Sequence, residues 1–332
     1  MFIIQSYSTA VIFCVITMLC WGSWANTQKL AGNSWRFELF YWDYVIGIVL
    51  FSLLCGFTLG SIGQGGRSFV ADLQQADYRN LLSAFMGGIV FNAANILVVA
   101  AIAIAGMSVA FPVGIGLALI LGVVINYVSA QHGNPVLLFS GVSLVAVAIA
   151  LNARAYKIKS ESQTSVPFRG LLLAIIGGVL MSLFYRFIAA SMDLNDFVAP
   201  EPGKMTPYSA VFVFSLGVLF SNFFLNSWLI FKPFVGEPTN YNAYFSGKGT
   251  HHFYGILGGL IWGIGNSFNL IAAGKAGPAI SYGLGQGATL VAALWGVFIW
   301  KEFDSAPEGV NKLIIGMFSC FLLGLILIVL AG

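Results

Sequence analysis

Ten stretches of about twenty residues, each apolar and almost free of charge, set the limits on what this chain can fold into. They cover positions 9–30, 40–60, 80–104, 108–129, 135–152, 169–190, 207–230, 251–274, 278–300 and 311–331. A helix of ~20 residues crosses the hydrocarbon core of a bilayer, and in lipid only structures that satisfy their own backbone hydrogen bonds persist. The runs are continuous rather than alternating, which excludes a strand barrel. Charged residues make up 8% of the 332, against roughly 25% in soluble domains, so most side chains must face lipid or other helices. The expected fold is therefore an all-α polytopic membrane protein with ten transmembrane helices.

The chain also repeats itself. Gly87-Gly88-Ile89-Val90-Phe91-Asn92-Ala93-Ala94-Asn95 returns as Gly258-Gly259-Leu260-Ile261-Trp262-Gly263-Ile264-Gly265-Asn266. The same shift superposes Ala105-Gly106 on Ala276-Gly277, Gly114 and Gly116 on Gly285 and Gly287, and Leu119 on Leu290. A shift held over ~30 residues marks an internal duplication. The copies lie in the third and eighth segments. Five crossings separate them, an odd number, so they run in opposite directions and the repeat is inverted. Secondary transporters are often built this way around a site near the midplane. The expected organisation is a first five-helix repeat (1–152), a basic cytoplasmic linker (153–168) and a second repeat (169–332).

Gly106-Met107 and Gly277-Pro278 leave almost no link between the third and fourth and between the eighth and ninth segments, which forces antiparallel neighbours. With the linker in the cytoplasm, that side carries Lys29, Arg36, Arg154, Lys157, Lys159, Arg169, Lys232, Lys248, Lys301 and Lys312, against Arg67, Arg79, Lys204 and Lys275 opposite. The positive-inside rule favours this placement, with both termini on the non-cytoplasmic face of a plasma membrane or bacterial inner membrane. The opening residues lack the basic leader of a secretory signal and read as the start of the first membrane helix. Net charge is +3 with no basic run suited to nucleic acid. Cys14, Cys20, Cys55 and Cys320 lie in apolar runs without metal-ligand spacing and read as small buried hydrophobes; no metal or cofactor is expected.

The first segment ends Cys20-Trp21-Gly22-Ser23-Trp24-Ala25-Asn26-Thr27, the second opens Glu38 to Asp43-Tyr44, and the ninth closes on Trp300-Lys301-Glu302. With the Gly87-Gly88 and Asn95 motif, these words resemble the drug/metabolite transporter superfamily. Within it they are closest to the glucose/ribose porter, rhamnose transporter and ureide permease branches. The resemblance implies a 5+5 helical transporter of sugars, ureides, nucleobases, amino acids or drugs. Plant ureide permeases carry a longer central loop with a nucleotide-like motif; the short loop here has no GxxxxGK[ST], so nothing supports an ATP-driven mechanism.

A polar side chain inside a membrane helix is costly and needs a partner or a substrate. Asn92 and Asn95 share one helix face, as do Asn266 and Asn269. These amides suit either helix-to-helix hydrogen bonds, at about 0.6 kcal/mol each, or a clamp on a polar solute. Trp21, Trp24 and Trp262 suit either an interfacial belt or stacking on a flat substrate. Tyr282 and Gln286 replace Phe111 and Ile115 of the first copy, so the second half is expected to supply more of the solute's hydrogen bonds. Tyr185 and Arg186 add a phenol and a guanidinium, the latter able to pair with Asp193 or Asp196, to snorkel, or to bind a carbonyl or anion. The glycine series reads as packing. For ion coupling, proton or sodium, Asp43 ranks first and Glu302 second, each near a helix end and within reach of Lys29 or Lys301.

These features point to a secondary transporter of a small, polar, mostly uncharged metabolite, taken up by ion symport. Within transport, the alternative is an exporter of drugs or amino acids. A passive channel or sensor is a further class. No His, Asp or Glu cluster has catalytic spacing, so an enzyme is not expected.

Overall fold

The computed structural model describes residues 1–32, 35–63, 65–159, 167–304, 306, 307 and 309–332; the side chains of 107–109, 111 and 112 are outside the description. Regular structure there is helical, without a strand. In chain order the helices are α1 (Tyr7–Ser23), α2 (Ala25–Ala31), α3 (Phe37–Phe57), α4 (Phe69–Gln75), α5 (Tyr78–Ala105), α6 (Met107–Ser129) and α7 (Pro135–Lys159). They continue as α8 (Phe168–Ser191), α9 (Pro207–Phe231), α10 (Tyr241–Phe245), α11 (Gly249–Ala276), α12 (Pro278–Gly285), α13 (Ala288–Leu294) and α14 (Val310–Leu330). Nine spans among the described residues are long and apolar enough to cross a membrane, counting Tyr7–Ala31 and Pro278–Ile299 as one each. Within α6, Val113–Ser129 adds a shorter apolar stretch.

Three expected boundaries differ. The first span is offset by the single residue Trp24, where Thr27 N–H turns back to the Trp24 carbonyl (3.0 Å). The ninth is broken: Gln286 and Gly287 separate α12 from α13, and Trp295–Ile299 is a π-turn. The helix of the fifth segment continues seven residues into the expected linker, because Ala153, Ala155, Lys157 and Lys159 favour helix and the lysines complement its C-terminal dipole. Residues 160–166, the rest of the linker core, lie outside the described residues.

Which helices touch follows a pattern. α5 packs on α8 and α11 on α1; α5 packs on α9 and α11 on α3; α6 packs on α8, while α12 and α13 pack on α1. α7 pairs with α14 and α3 with α9. The doubled Gly-Gly motif sits at two of these crossings. A Cβ on Gly88 would lie 2.1 Å from the Phe214 carbonyl oxygen, and one on Gly217 2.0 Å from that of Phe85. The second copy repeats this: a Cβ on Gly259 would meet the Tyr44 oxygen at 2.0 Å, and one on Gly47 the Ile256 oxygen at 2.3 Å. Backbone therefore rests on backbone at both crossings, as small residues permit in membrane bundles. The link glycines match too, Gly106 at φ 77°, ψ 162° and Gly277 at φ 76°, ψ 155°, a left-handed conformation that favours glycine.

Candidate functional site

Where α1, α3, α5, α9 and α11 converge, the structure gathers an aromatic cluster. Trp262 stacks on Trp21 (5.9 Å between ring centroids, 14°) and on Phe214 (6.1 Å, 17°), and lies 4.5 Å from Phe91. Tyr44 meets Trp262 edge-on at 6.4 Å and Trp24 at 4.6 Å. Phe91 and Trp262 are repeat equivalents, so the two copies face each other here. Trp21 and Trp24 thus engage aromatic rings of the bundle interior.

Within this cluster polar groups divide into satisfied and unsatisfied. Tyr41 Oη donates to Asn92 Oδ1 (2.9 Å) and accepts from Asn95 Nδ2 (3.0 Å), while Asn92 Nδ2 donates to Ser221 Oγ (2.9 Å). This network ties α3, α5 and α9. Asn269 is spent on α12: its Nδ2 donates to the Ser281 carbonyl (2.8 Å), and Ser281 Oγ donates back to the Asn269 carbonyl (2.6 Å). Tyr282 Oη donates to the Ala118 carbonyl (3.0 Å) and Tyr185 Oη to Ser281 Oγ (3.4 Å), both at full burial. These side chains hold helices together. Gln286 is buried at the α12–α13 break; Phe111, the first-copy counterpart of Tyr282, has a side chain outside the description.

Asn266 is different. It is fully buried, yet neither its Oδ1 nor its Nδ2 has a partner among the described residues. Trp21 Nε1 and Tyr44 Oη, on the rings that touch Trp262, are likewise buried and unpartnered. A buried donor or acceptor left unsatisfied costs about 1–3 kcal/mol, so such a group needs a reason. A donor indole, a phenol and a whole amide, on or beside stacked rings, are the kinds of group that pair with a flat polar solute.

Two charged clusters lie near the α3 and α11 starts and the α13 end. Asp43, 2% exposed, accepts from Tyr244 Oη (2.7 Å) and faces His252 Nδ1 (3.0 Å to either oxygen). Trp35 packs its ring on His251 (4.8 Å) and edge-on to His252 (5.2 Å). Burial and the hydrogen bond to Asp43 raise the Tyr244 phenol above its ordinary range, keeping it a donor. Sequence reasoning missed His252 and Tyr244. The available signal was the tandem His251-His252 heading the helix that packs on the one bearing Asp43.

Glu302 pairs with Lys29 Nζ (2.9 Å) and accepts from the Tyr156 hydroxyl. Burial alone would raise its carboxyl, but the hydrogen bonds from Tyr156 and Lys29 and the charges of Lys29 and Lys159 hold it below the usual value. The expected neighbour of Asp43, Lys29, is thus bound to Glu302 instead. Arg186 is half-buried, and no ion pair joins it to Asp193 or Asp196 among the described residues. Those carboxylates cap turns, Asp193 accepting from Asn195 N and Glu201 N and Asp196 from Val198 N and Ala199 N.

The sequence profile of the ureide permease family matches residues 40–166 and 152–331. The chain belongs to the ureide permease family. It is similar to Ureide permease 1 of Arabidopsis thaliana, 23% identical over 381 residues, covering 97% of this chain and 96% of that one. Ureide permease 5 of the same plant is 23% identical, covering 96% and 93%. A putative sugar uptake protein of Streptococcus pyogenes serotype M6 is 28% identical over 208 residues, covering 61% and 70%. One crystal structure superposes with a TM-score of 0.65 at 14% identity, covering 96% of this chain and 97% of its own, a likeness of fold alone. As a member of the ureide permease family the protein is a multi-pass membrane transporter.

Proposed function

We propose that the protein is a ten-helix secondary transporter that takes up a small uncharged ureide across the plasma membrane or bacterial inner membrane. The observation that carries the substrate reading is Asn266, a fully buried amide with no partner, beside the stacked Trp21 and Trp262. A planar N–CO–N solute offers both a face for the indoles and donors and acceptors for the amide. Sugar is the second reading, favoured by the similarity to a streptococcal protein whose name describes sugar uptake.

Alternating access by two inverted five-helix repeats is supported by the packing pattern. Renumbering each helix by its partner in the other repeat turns the α5–α8 contact into α11–α1, and the α5–α9 contact into α11–α3. The paired glycine crossings support the same two-fold. Both termini then face away from the cytoplasm. Coupling to a proton is assigned to Asp43, which lies within α3 and shares His252 and Tyr244 from elements that pack on it. Glu302, bound to Lys29 and Tyr156, is assigned to closing the cytoplasmic mouth.

Proteoliposomes test this with the cyclic ureide hydantoin and with glucose, each under an inward proton or sodium gradient. Hydantoin should accumulate under the proton gradient. Asp43→Asn should abolish that accumulation while preserving hydantoin exchange without a gradient. Accumulation by Asp43→Asn equal to the parent protein's removes Asp43 from coupling, and uptake of glucose alone replaces the ureide reading.

A further inference from the structure

The cytoplasmic ends of the first, fifth and ninth spans enclose a cavity of about 120 Å³. Its wall includes Asn26, Lys29, Asn152, Tyr156, Trp300 and Glu302. A water occupies ~30 Å³ in the liquid, so the space exceeds what one ordered water fills.

Almost every polar group of the wall is already used. Lys29 is paired with Glu302 and lies over the Trp300 ring at 4.7 Å. Tyr156 donates to Glu302, Trp300 Nε1 donates to Asn26 Oδ1 (2.6 Å), and Asn26 Nδ2 donates to the Ser23 carbonyl (3.0 Å). Thr289 Oγ1 donates to the Gln286 carbonyl (3.0 Å), and Trp295 Nε1 to Ser23 Oγ (2.9 Å). Asn152 is the exception. It is 8% exposed, lines the cavity and makes no side-chain hydrogen bond among the described residues.

The backbone on the far wall is unusual as well. The π-turn Trp295–Ile299 is followed by Lys301 at φ 50°, the one non-glycine residue with positive φ among the described residues. Together they fold the chain back, so that Glu302 N–H donates to the Gly296 carbonyl (2.9 Å) and its carboxylate roofs the cavity. Single π-turns within helices recur at functional sites, and non-glycine residues at positive φ store local strain.

We infer that this cavity is a second solute site, at the cytoplasmic mouth, for a small neutral molecule carrying both amide-type N–H and C=O groups. The ion pair cancels the wall's charge, which disfavours ions. The free amide of Asn152 offers two donors and an acceptor, the complement of an amide or urea edge. Trp295 and Trp300 supply flat flanks. The site rests on the ureide reading above and deepens it: a solute leaving the Asn266 site is held once more behind Glu302 before release.

Equilibrium binding of radiolabelled hydantoin to the purified protein in nanodiscs tests this. The parent protein should bind two molecules per chain and Asn152→Leu one. Ala292→Phe, which plugs the same cavity from its exposed rim, should also bind one, and this variant covers the case in which Asn152→Leu does not fold. Two-site binding that persists in both variants overturns the site, as does one molecule per chain in the parent protein unchanged by either substitution. In both results, hydantoin uptake by the same protein reconstituted in proteoliposomes leaves the transport reading standing. Its absence there, together with an absence of binding, overturns both.

Discussion

Asn266 and Asn269 lie one helical turn apart on α11, and replacing each by leucine should move stability in opposite directions. Asn266 buries a donor and an acceptor without a partner. At about 1–3 kcal/mol for each unsatisfied group, the empty protein carries roughly 2–6 kcal/mol of uncompensated desolvation at this side chain. Leucine removes both groups with the same number of side-chain heavy atoms, and its bulkier methyls cost about 1 kcal/mol in packing. Asn266→Leu should therefore stabilise the solute-free protein by about 1–5 kcal/mol. At roughly 2–4 °C per kcal/mol for chains of somewhat smaller size, its Tm should rise by several degrees. Asn269→Leu instead strips the 2.8 Å bond to the Ser281 carbonyl at full burial and should cost about 1–3 kcal/mol. The assay is thermal unfolding in detergent, followed by tryptophan fluorescence, with hydantoin uptake measured in parallel. Asn266→Leu should lose uptake while gaining stability, the trade expected where a binding group is strained in the empty state. A destabilised Asn266→Leu, or one that is stabilised and still transports normally, refutes the assignment of this amide to the solute.

The glycine crossings make a sharper structural test. Gly88→Ala brings a Cβ to 2.1 Å from the Phe214 oxygen, so α5 and α9 must part by about 1 Å, at a cost of roughly 1–3 kcal/mol. Gly116→Ala, with open space around it, should leave Tm unchanged, and equal Tm values for the two variants would falsify the close crossing. Glu302 predicts an acid limb. Its carboxyl is lower in the folded protein than in the unfolded chain, so its contribution is complete above the ordinary glutamate value near 4.3 and is lost as pH falls through the lower native value. Glu302→Gln should lower stability at pH 7 and flatten the loss between pH 5 and 3; an unchanged acid limb removes Glu302 from the mouth's closure.

Much of the architecture was legible because lipid leaves a chain few options. Runs of apolar residues must be helices, and the span limits expected at 80–104 and 207–230 fall within two residues of α5 and α9. The doubled Gly-Gly motif also signalled close crossings, since only glycine allows backbone contact at 2 Å from where a Cβ would stand. Breaks inside helices were not legible. Trp24 carries no proline or special turn chemistry that marks a discontinuity, Gly285 and Gly287 beside Gln286 read equally well as packing residues, and the π-turn at Trp295 depends on what Glu302 and Ser23 offer it.

The site was half legible. Every amide, indole and phenol singled out lies in the bundle, most of them buried. Residue type does not say which amide is already bonded. Asn92, Asn95 and Asn269 look equivalent to Asn266 on a helical wheel, and only the neighbours contributed by α3, α9 and α12 distinguish them. The same holds for charge, since the partner of Asp43 is His252, 209 positions away, and that of Lys29 is Glu302, 273 positions away. By itself the sequence determined the solvent, the helices and the doubled motif, because these follow from composition and local spacing. Tertiary structure alone decided which polar groups are spent on holding helices together and which are left without a partner, because hydrogen bonding is settled by distances of 3 Å between segments far apart in the chain.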